Sequence, residues 1–153
     1  MTQAKSYAFF ELGGILWPSS LQIPSRRFRL FIAADTRRIS SETLAQFADQ
    51  ALKHGMVYFC SWGPGCERFH DIVDEVVVAA DLASHPPTNL SRDDTIMTTW
   101  HEHKSLDEAL EFFIEFAWPT DGLAADSEYW LAFCLNNSGW ANEIRGRLNR
   151  LGP

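Results

Sequence analysis

Long apolar runs, paired cysteines, basic charge and internal repeats are all scarce in this chain, and each scarcity removes a class of protein. No window approaches the roughly eighteen consecutive apolar residues that a membrane-spanning helix needs. The early run Tyr7-Ala8-Phe9-Phe10 is interrupted by Glu11 and lacks both a basic flank and a small-residue cleavage site. Neither an export signal nor a membrane span is therefore expected. Three cysteines, Cys60, Cys66 and Cys134, are an odd and low count. They predict free thiols in a reducing, cytoplasmic setting rather than a disulfide scaffold. Basic charge is short as well, with 13 Lys and Arg against 20 Asp and Glu, a net charge of −7. Binding along a nucleic acid depends on Lys and Arg displacing counterions, so an extended polyanion groove is not expected. Such a surface would instead suit a basic protein partner through complementary potential.

What is present describes an ordinary folded domain. Apolar residues make up 46% of the 153 and charged residues 22%, near the globular average. A chain this long buries roughly two-thirds of its unfolded surface and needs no metal or disulfide to hold a core. The 11 Phe and 6 Trp belong mainly to that core, although an exposed Trp often marks an interface. Arginines gather at Arg26, Arg27 and Arg29, at Arg37 and Arg38, and at Arg145, Arg147 and Arg150. Solvated element ends are the plain reading of these groups, and a small anion site the sharper one.

No linker divides the chain, so residues 1–153 read as one domain. Residues 1–25 form an irregular leader covering an edge or face of the sheet, and 28–151 form the core. Phe28 to Ala34 reads as a buried strand ending at Asp35. Ser40 or Ser41 can cap a helix striped by Leu44, Phe47, Ala48 and Ala51, which Gly55 stops. Met56 to Cys60 is a second strand, and the helix after it carries Phe69, Ile72 and Val73. The β-branched run Val76 to Ala79 reads as a third strand. Residues 81–93, with Pro86, Pro87 and Asn89, read as the longest loop. Thr95 to Trp100 is a fourth strand. Ser105 and Glu108 make a capping box opening a helix that ends at Pro119. Tyr129 to Cys134 is a fifth strand, and Trp140, Ile144, Leu148 and Leu151 stripe a last helix. The alternation predicts an α/β fold, a three-layer Rossmann-like sandwich with a mostly parallel sheet of about five strands. Without a helix between the third and fourth strands, that pair has the option of running antiparallel.

Strand C-termini then share one rim, where open α/β sheets bind ligands. Two segments at that rim carry chemistry-bearing residues: Ser61-Trp62-Gly63-Pro64-Gly65-Cys66 and Trp100-His101-Glu102-His103. Gly63 and Gly65 allow a tight turn into a helix N-terminus, whose amides attract anions, but Pro64 removes a donor and the pattern is no known phosphate loop. Cys66, in the first helical turn, has its thiolate favoured by the dipole. His70, one turn on, or His101 would serve as its base. Packing of Cys66 as a small half-buried residue is the plainer alternative. With His103 these residues could supply four zinc ligands, yet His101 and His103 would point to opposite sides of a strand, so no metal site and no cofactor are expected. Asp35, Ser61, Trp62, Gly63, Gly65, Glu102, His103 and Asn136 are the candidate ligand-binding residues along the rim.

The stretch from Phe59-Cys60-Ser61-Trp62-Gly63 through Cys66-Glu67, His70-Asp71 and Asp74-Glu75, followed by Thr98-Thr99-Trp100-His101 and Ser105 to Leu110, resembles an uncharacterised bacterial domain family of unknown function. The resemblance covers about residues 28–135, implies a small bacterial α/β domain and carries over no activity. Two functions remain. One is a noncatalytic binding or interaction module, such as an accessory, immunity or defence-associated protein, taking a basic protein partner or a small anionic ligand. The other is an enzyme acting on a small molecule or nucleotide through Cys66 with His70 or His101.

Overall fold

In the computed structural model, which describes residues 5–84 and 94–151, five strands alternate with four helices. The strands are Ser6–Leu12 (β1), Phe28–Ala33 (β2), Met56–Trp62 (β3), Met97–Trp100 (β4) and Tyr129–Leu135 (β5). The helices are Ser41–Lys53 (α1), Cys66–Ser84 (α2), Leu106–Glu115 (α3) and Ser138–Asn149 (α4). The sheet order is β1-β5-β2-β3-β4, and every neighbouring pair is parallel. Strands buried on both faces read as continuous apolar runs; β2 and β5 are buried at every position and hold the centre.

Side-chain alternation splits the core into two layers. Leu30, Ile32, Phe59, Leu131 and Phe133 face α1 and α2, where Phe47, Phe69 and Val73 meet them. Phe31, Cys60, Trp130 and Cys134 face α3 and α4, where Leu110, Phe113 and Ile144 meet them. The sandwich is three-layered, as the alternation implies. Caps form where the sequence offers them: Ser40 Oγ accepts from the Thr43 amide, and Ser105 Oγ from the Glu108 amide.

Three expectations change. Val76 to Ala79 is no strand but part of α2. The buried set Phe69, Val73 and Val77 recurs every fourth residue while Val78 is half exposed, a helical pattern that outweighs the weak β preference of valine. The pair that had the option of running antiparallel therefore does not exist; α2 joins β3 to β4, which run parallel. Residues 81–84 also belong to α2, and the rest of the expected loop, including Pro86, Pro87 and Asn89, lies outside the described residues. Finally, the leader covers a sheet edge as expected, but it does so as a regular strand: its aromatic run is β1, in register with β5 from Ser6 opposite Tyr129 to Leu12 opposite Leu135. Beyond it, Trp17 packs against Phe28, Phe47 and Phe133 and stacks on His54 at 4.8 Å.

Candidate functional site

The strand order reverses between β2 and β5. From β2 the chain passes to α1 on one face; from its neighbour β5 it passes to α4 on the other. Two connections leaving in opposite directions open a crevice at the C-terminal edge of a parallel sheet. A cavity of about 760 Å³ lies there, bounded by Asp35, Arg38, Ser40, Thr43, Asn136 and Trp140 among others, within the range of small-ligand sites. Ser40 caps α1 and Asn137 caps α4, the latter accepting from the Trp140 amide at 3.0 Å. Both helix N-termini therefore border the crevice. Asn136 holds a left-handed backbone, φ 47°, which Asn tolerates better than most residues. Its amide group donates to Gly13 O at 2.9 Å and its backbone N–H to Leu12 O. Asp35 is clamped by its neighbour: Arg37 Nε donates to Oδ1 at 2.9 Å and Nη2 to Oδ2 at 2.7 Å. That fork holds the Asp35 carboxyl below the usual carboxylate range and leaves Arg38 as a cation on the wall.

The rim segments do share one border. The His101 amide donates to Ser61 O, the Ala34 amide to Trp62 O and the Thr36 amide to Pro64 O, all within 2.9 to 3.0 Å. The Gly-Pro-Gly turn is nevertheless not an open anion cradle. It is packed on the loop after β2: a Cβ on Gly63 (φ +113°) would lie 2.3 Å from Ala34 O, and one on Gly65 2.7 Å from Thr36 Oγ1. Its carbonyls accept from the Thr36 amide and hydroxyl. Only Pro64 of this turn reaches the crevice wall.

The expected Cys–His pair is not assembled. Cys66 is 1% exposed, and burial pushes its thiol up despite the lowering effect of the His101 backbone amide. The imidazoles are engaged elsewhere, on opposite faces of the sheet. His70 Nδ1 meets Asp71 Oδ1 at 3.0 Å and Nε2 shares a hydrogen bond with Thr98 Oγ1 at 3.0 Å, the ring lying on Trp100. His101 Nε2 pairs with Thr99 Oγ1 at 3.1 Å and its ring packs on Phe112 at 4.7 Å. Burial, then Lys104, pushes His101 down. Ser61 is buried and donates to Cys66 O. Trp62 donates to Lys104 O and meets Trp140 edge-on at 4.9 Å. Glu102 and His103 are exposed, with Glu102 Oε2 3.9 Å from His103 Nε2. Among the described residues, no three His, Cys, Asp or Glu side chains are grouped to hold a metal.

Asp35 and Asn136 therefore lie at the crevice, while Cys66, His70 and His101 do not. Sequence reasoning passed over Thr43 and Trp140 as site residues, and reached Arg38 only as one of several arginine groups with an anion site as the sharper reading. Apolar continuity alone does not find them: β5 is the longest apolar run, but β2 carries Arg29 and is no more continuous than β3, so the pairing of β2 with β5 is not marked in the sequence.

An all-parallel α/β domain with its crevice at the point of strand reversal belongs to the Rossmann-like class. No helix of the described residues is long and apolar enough to cross a membrane. Residues 17–149 match the family model described as Domain of unknown function (DUF7684), and the chain belongs to that family. The match extends beyond the 28–135 stretch on both sides. No curated protein and no solved structure matches the chain.

Proposed function

We propose that this chain is a noncatalytic binding domain that takes a small anion-bearing ligand in the crevice between β2 and β5. The observation that carries the reading is position: a cavity of about 760 Å³ sits where the strand order reverses, which is where this architecture binds ligands. A larger hollow of about 920 Å³ lies between Trp17 and α1, away from the strand ends, so size alone does not select the site. The wall chemistry favours an anion. Arg38 supplies charge, the Ser40 and Thr43 hydroxyls supply hydrogen bonds, and two helix N-termini add partial positive charge. Trp140 offers an apolar surface for the remainder of the ligand. Three free buried thiols suit a cytoplasmic home.

The test is a thermal-shift panel of nucleotides, sugar phosphates and carboxylates. A ligand that binds only the native state raises Tm by mass action, about 2.7 kcal/mol at a hundred times Kd. At least one member should shift Tm, and Arg38→Ala should abolish most of the shift while the unliganded Tm stays put. A flat panel, or a shift indifferent to Arg38→Ala, rejects the reading.

A further inference from the structure

The opposite end of the sheet carries a second, independent surface. Arg29, near the start of β2, is 1% exposed, although it sits in an arginine group that reads from the sequence as solvated. Its guanidinium is fixed by Nε to Ser127 O at 3.1 Å, Nη1 to Ala117 O at 3.0 Å and Nη2 to Glu128 Oε1 at 3.4 Å. It lies 4.1 Å from the centre of the buried Trp130 ring and 5.1 Å from that of Trp118. Trp118 is 56% exposed and its neighbour Phe116 60%. An exposed indole backed by a hydrogen-bonded guanidinium offers a flat platform, and one cation of the chain already lies near it. The Lys5 ammonium lies 5.9 Å from Trp118 and 5.4 Å from Trp130, within reach of the ring quadrupoles.

Among the described residues, carboxylates outnumber the free cations beside these rings: Glu108 and Glu111 share a hollow with Lys104 and Phe116. Glu111 and Glu115 lie on the exposed side of α3, and Glu128 pairs with Arg29. Glu115 and Glu128 both act on the nearby Tyr7 hydroxyl, whose ring lies 5.2 Å from that of Trp130. Apolar anchors with more carboxylates than free cations beside them disfavour an anionic lipid surface. A second copy is equally disfavoured, because an isologous contact would oppose the same carboxylates. What remains complementary is positive charge on a partner, in keeping with the net charge of −7.

We propose that Phe116 and Trp118, bordered by Glu111 and Glu115, form a docking surface for a basic segment of a partner protein. A Lys or Arg side chain of that segment stacks on the outer face of Trp118, and its neighbours pair with the two glutamates. Aromatic anchors carry most of the binding energy in such interfaces and charges supply register and encounter rate.

The probe is a fluorescein-labelled peptide of alternating Arg and Gly, followed by anisotropy against the full chain at physiological salt. Phe116→Ser with Trp118→Gln should weaken binding at least tenfold, and Glu111→Gln with Glu115→Gln several-fold. Trp118→Phe, which keeps a ring, should retain most of the affinity and guards against misfolding of the stronger variant. Glu67→Gln with Glu75→Gln removes equal charge from α2 and should change binding less than twofold. Lys5→Gln should tighten binding by freeing the rings, whereas Lys53→Gln, the same charge change on α1, should not. Equal losses from both glutamate pairs would mean bulk charge attraction and overturn the proposal. So would no binding of the peptide, or preferential binding to anionic vesicles.

Discussion

Cys66 is a case in which burial overrules a helix dipole. The N-terminus of α2 and the His101 backbone amide both favour its thiolate, yet desolvation is the larger effect and the thiol is raised above its ordinary value of 9.0. Cys60 and Cys134 are raised further, to about 12 and about 11. A thiol that ionises more readily unfolded than folded stabilises the fold fully below the unfolded value, and that contribution is lost as pH rises through the folded one. All three should consequently be inert near neutrality. Iodoacetamide at pH 7.5, followed by peptide mass spectrometry, should modify Cys66 at least tenfold more slowly than free cysteine. The folded chain should begin to lose stability above pH 9, with alkylation following that loss. Rapid labelling of Cys66 at pH 7.5 would restore the activated-nucleophile reading.

Packing between connections, rather than ligand binding, explains the two turn glycines. The turn from β3 into α2 is pressed against the loop from β2 into α1, and Gly63 has a positive φ with Ala34 O where a Cβ would sit. Gly63→Ala should cost on the order of 3 kcal/mol, combining backbone strain with a clash against main chain that has nowhere to retreat. Gly13→Ala, at a site with nothing within 4 Å, is the control and should be nearly silent; equal denaturation midpoints for the two variants would refute the account. Glycine at this turn was legible from sequence, as were strands β2, β3 and β5 and the caps Ser40 and Ser105, because each depends on local pattern. Val76 to Ala79 misled because four β-branched or small residues satisfy a strand locally, while their helical burial depends on the phase set by Phe69 and Val73. Arg29 misled for the opposite reason: its burial is made possible by Trp118, Trp130 and Ser127, roughly a hundred residues away along the chain. The crevice was half legible. A rim reading reaches Asp35, Asn136 and its neighbour Asn137, and the Arg37–Arg38 pair suggests an anion site, but Thr43 and Trp140 become site residues, and Arg38 joins them, only once β5 lies beside β2, and that adjacency is a long-range property.

At the scale of the molecule, β1 is the element whose role is most open to a direct trial, because the family match begins at residue 17, after β1 has ended. Physically it is no appendage. It covers the outer edge of β5, a strand buried along its whole length, and Glu11 ties it to α4 through Arg145 at 2.8 Å. The Leu12 carbonyl accepts from the Asn136 amide, so the strand also braces the left-handed residue at the crevice. Removing residues 1–12 should leave a chain that still folds around β2, β3 and β5 but with an apolar, unpaired edge, the kind of edge that templates association. Tm should fall by roughly 10 °C, the size of effect expected for a few kcal/mol in a domain of this length. Size-exclusion chromatography should show concentration-dependent self-association absent from the full chain. A truncated chain with unchanged Tm and a monomeric profile would mean that β5 closes the sheet unaided, and that the bracing of Asn136 by Leu12 is dispensable to the crevice.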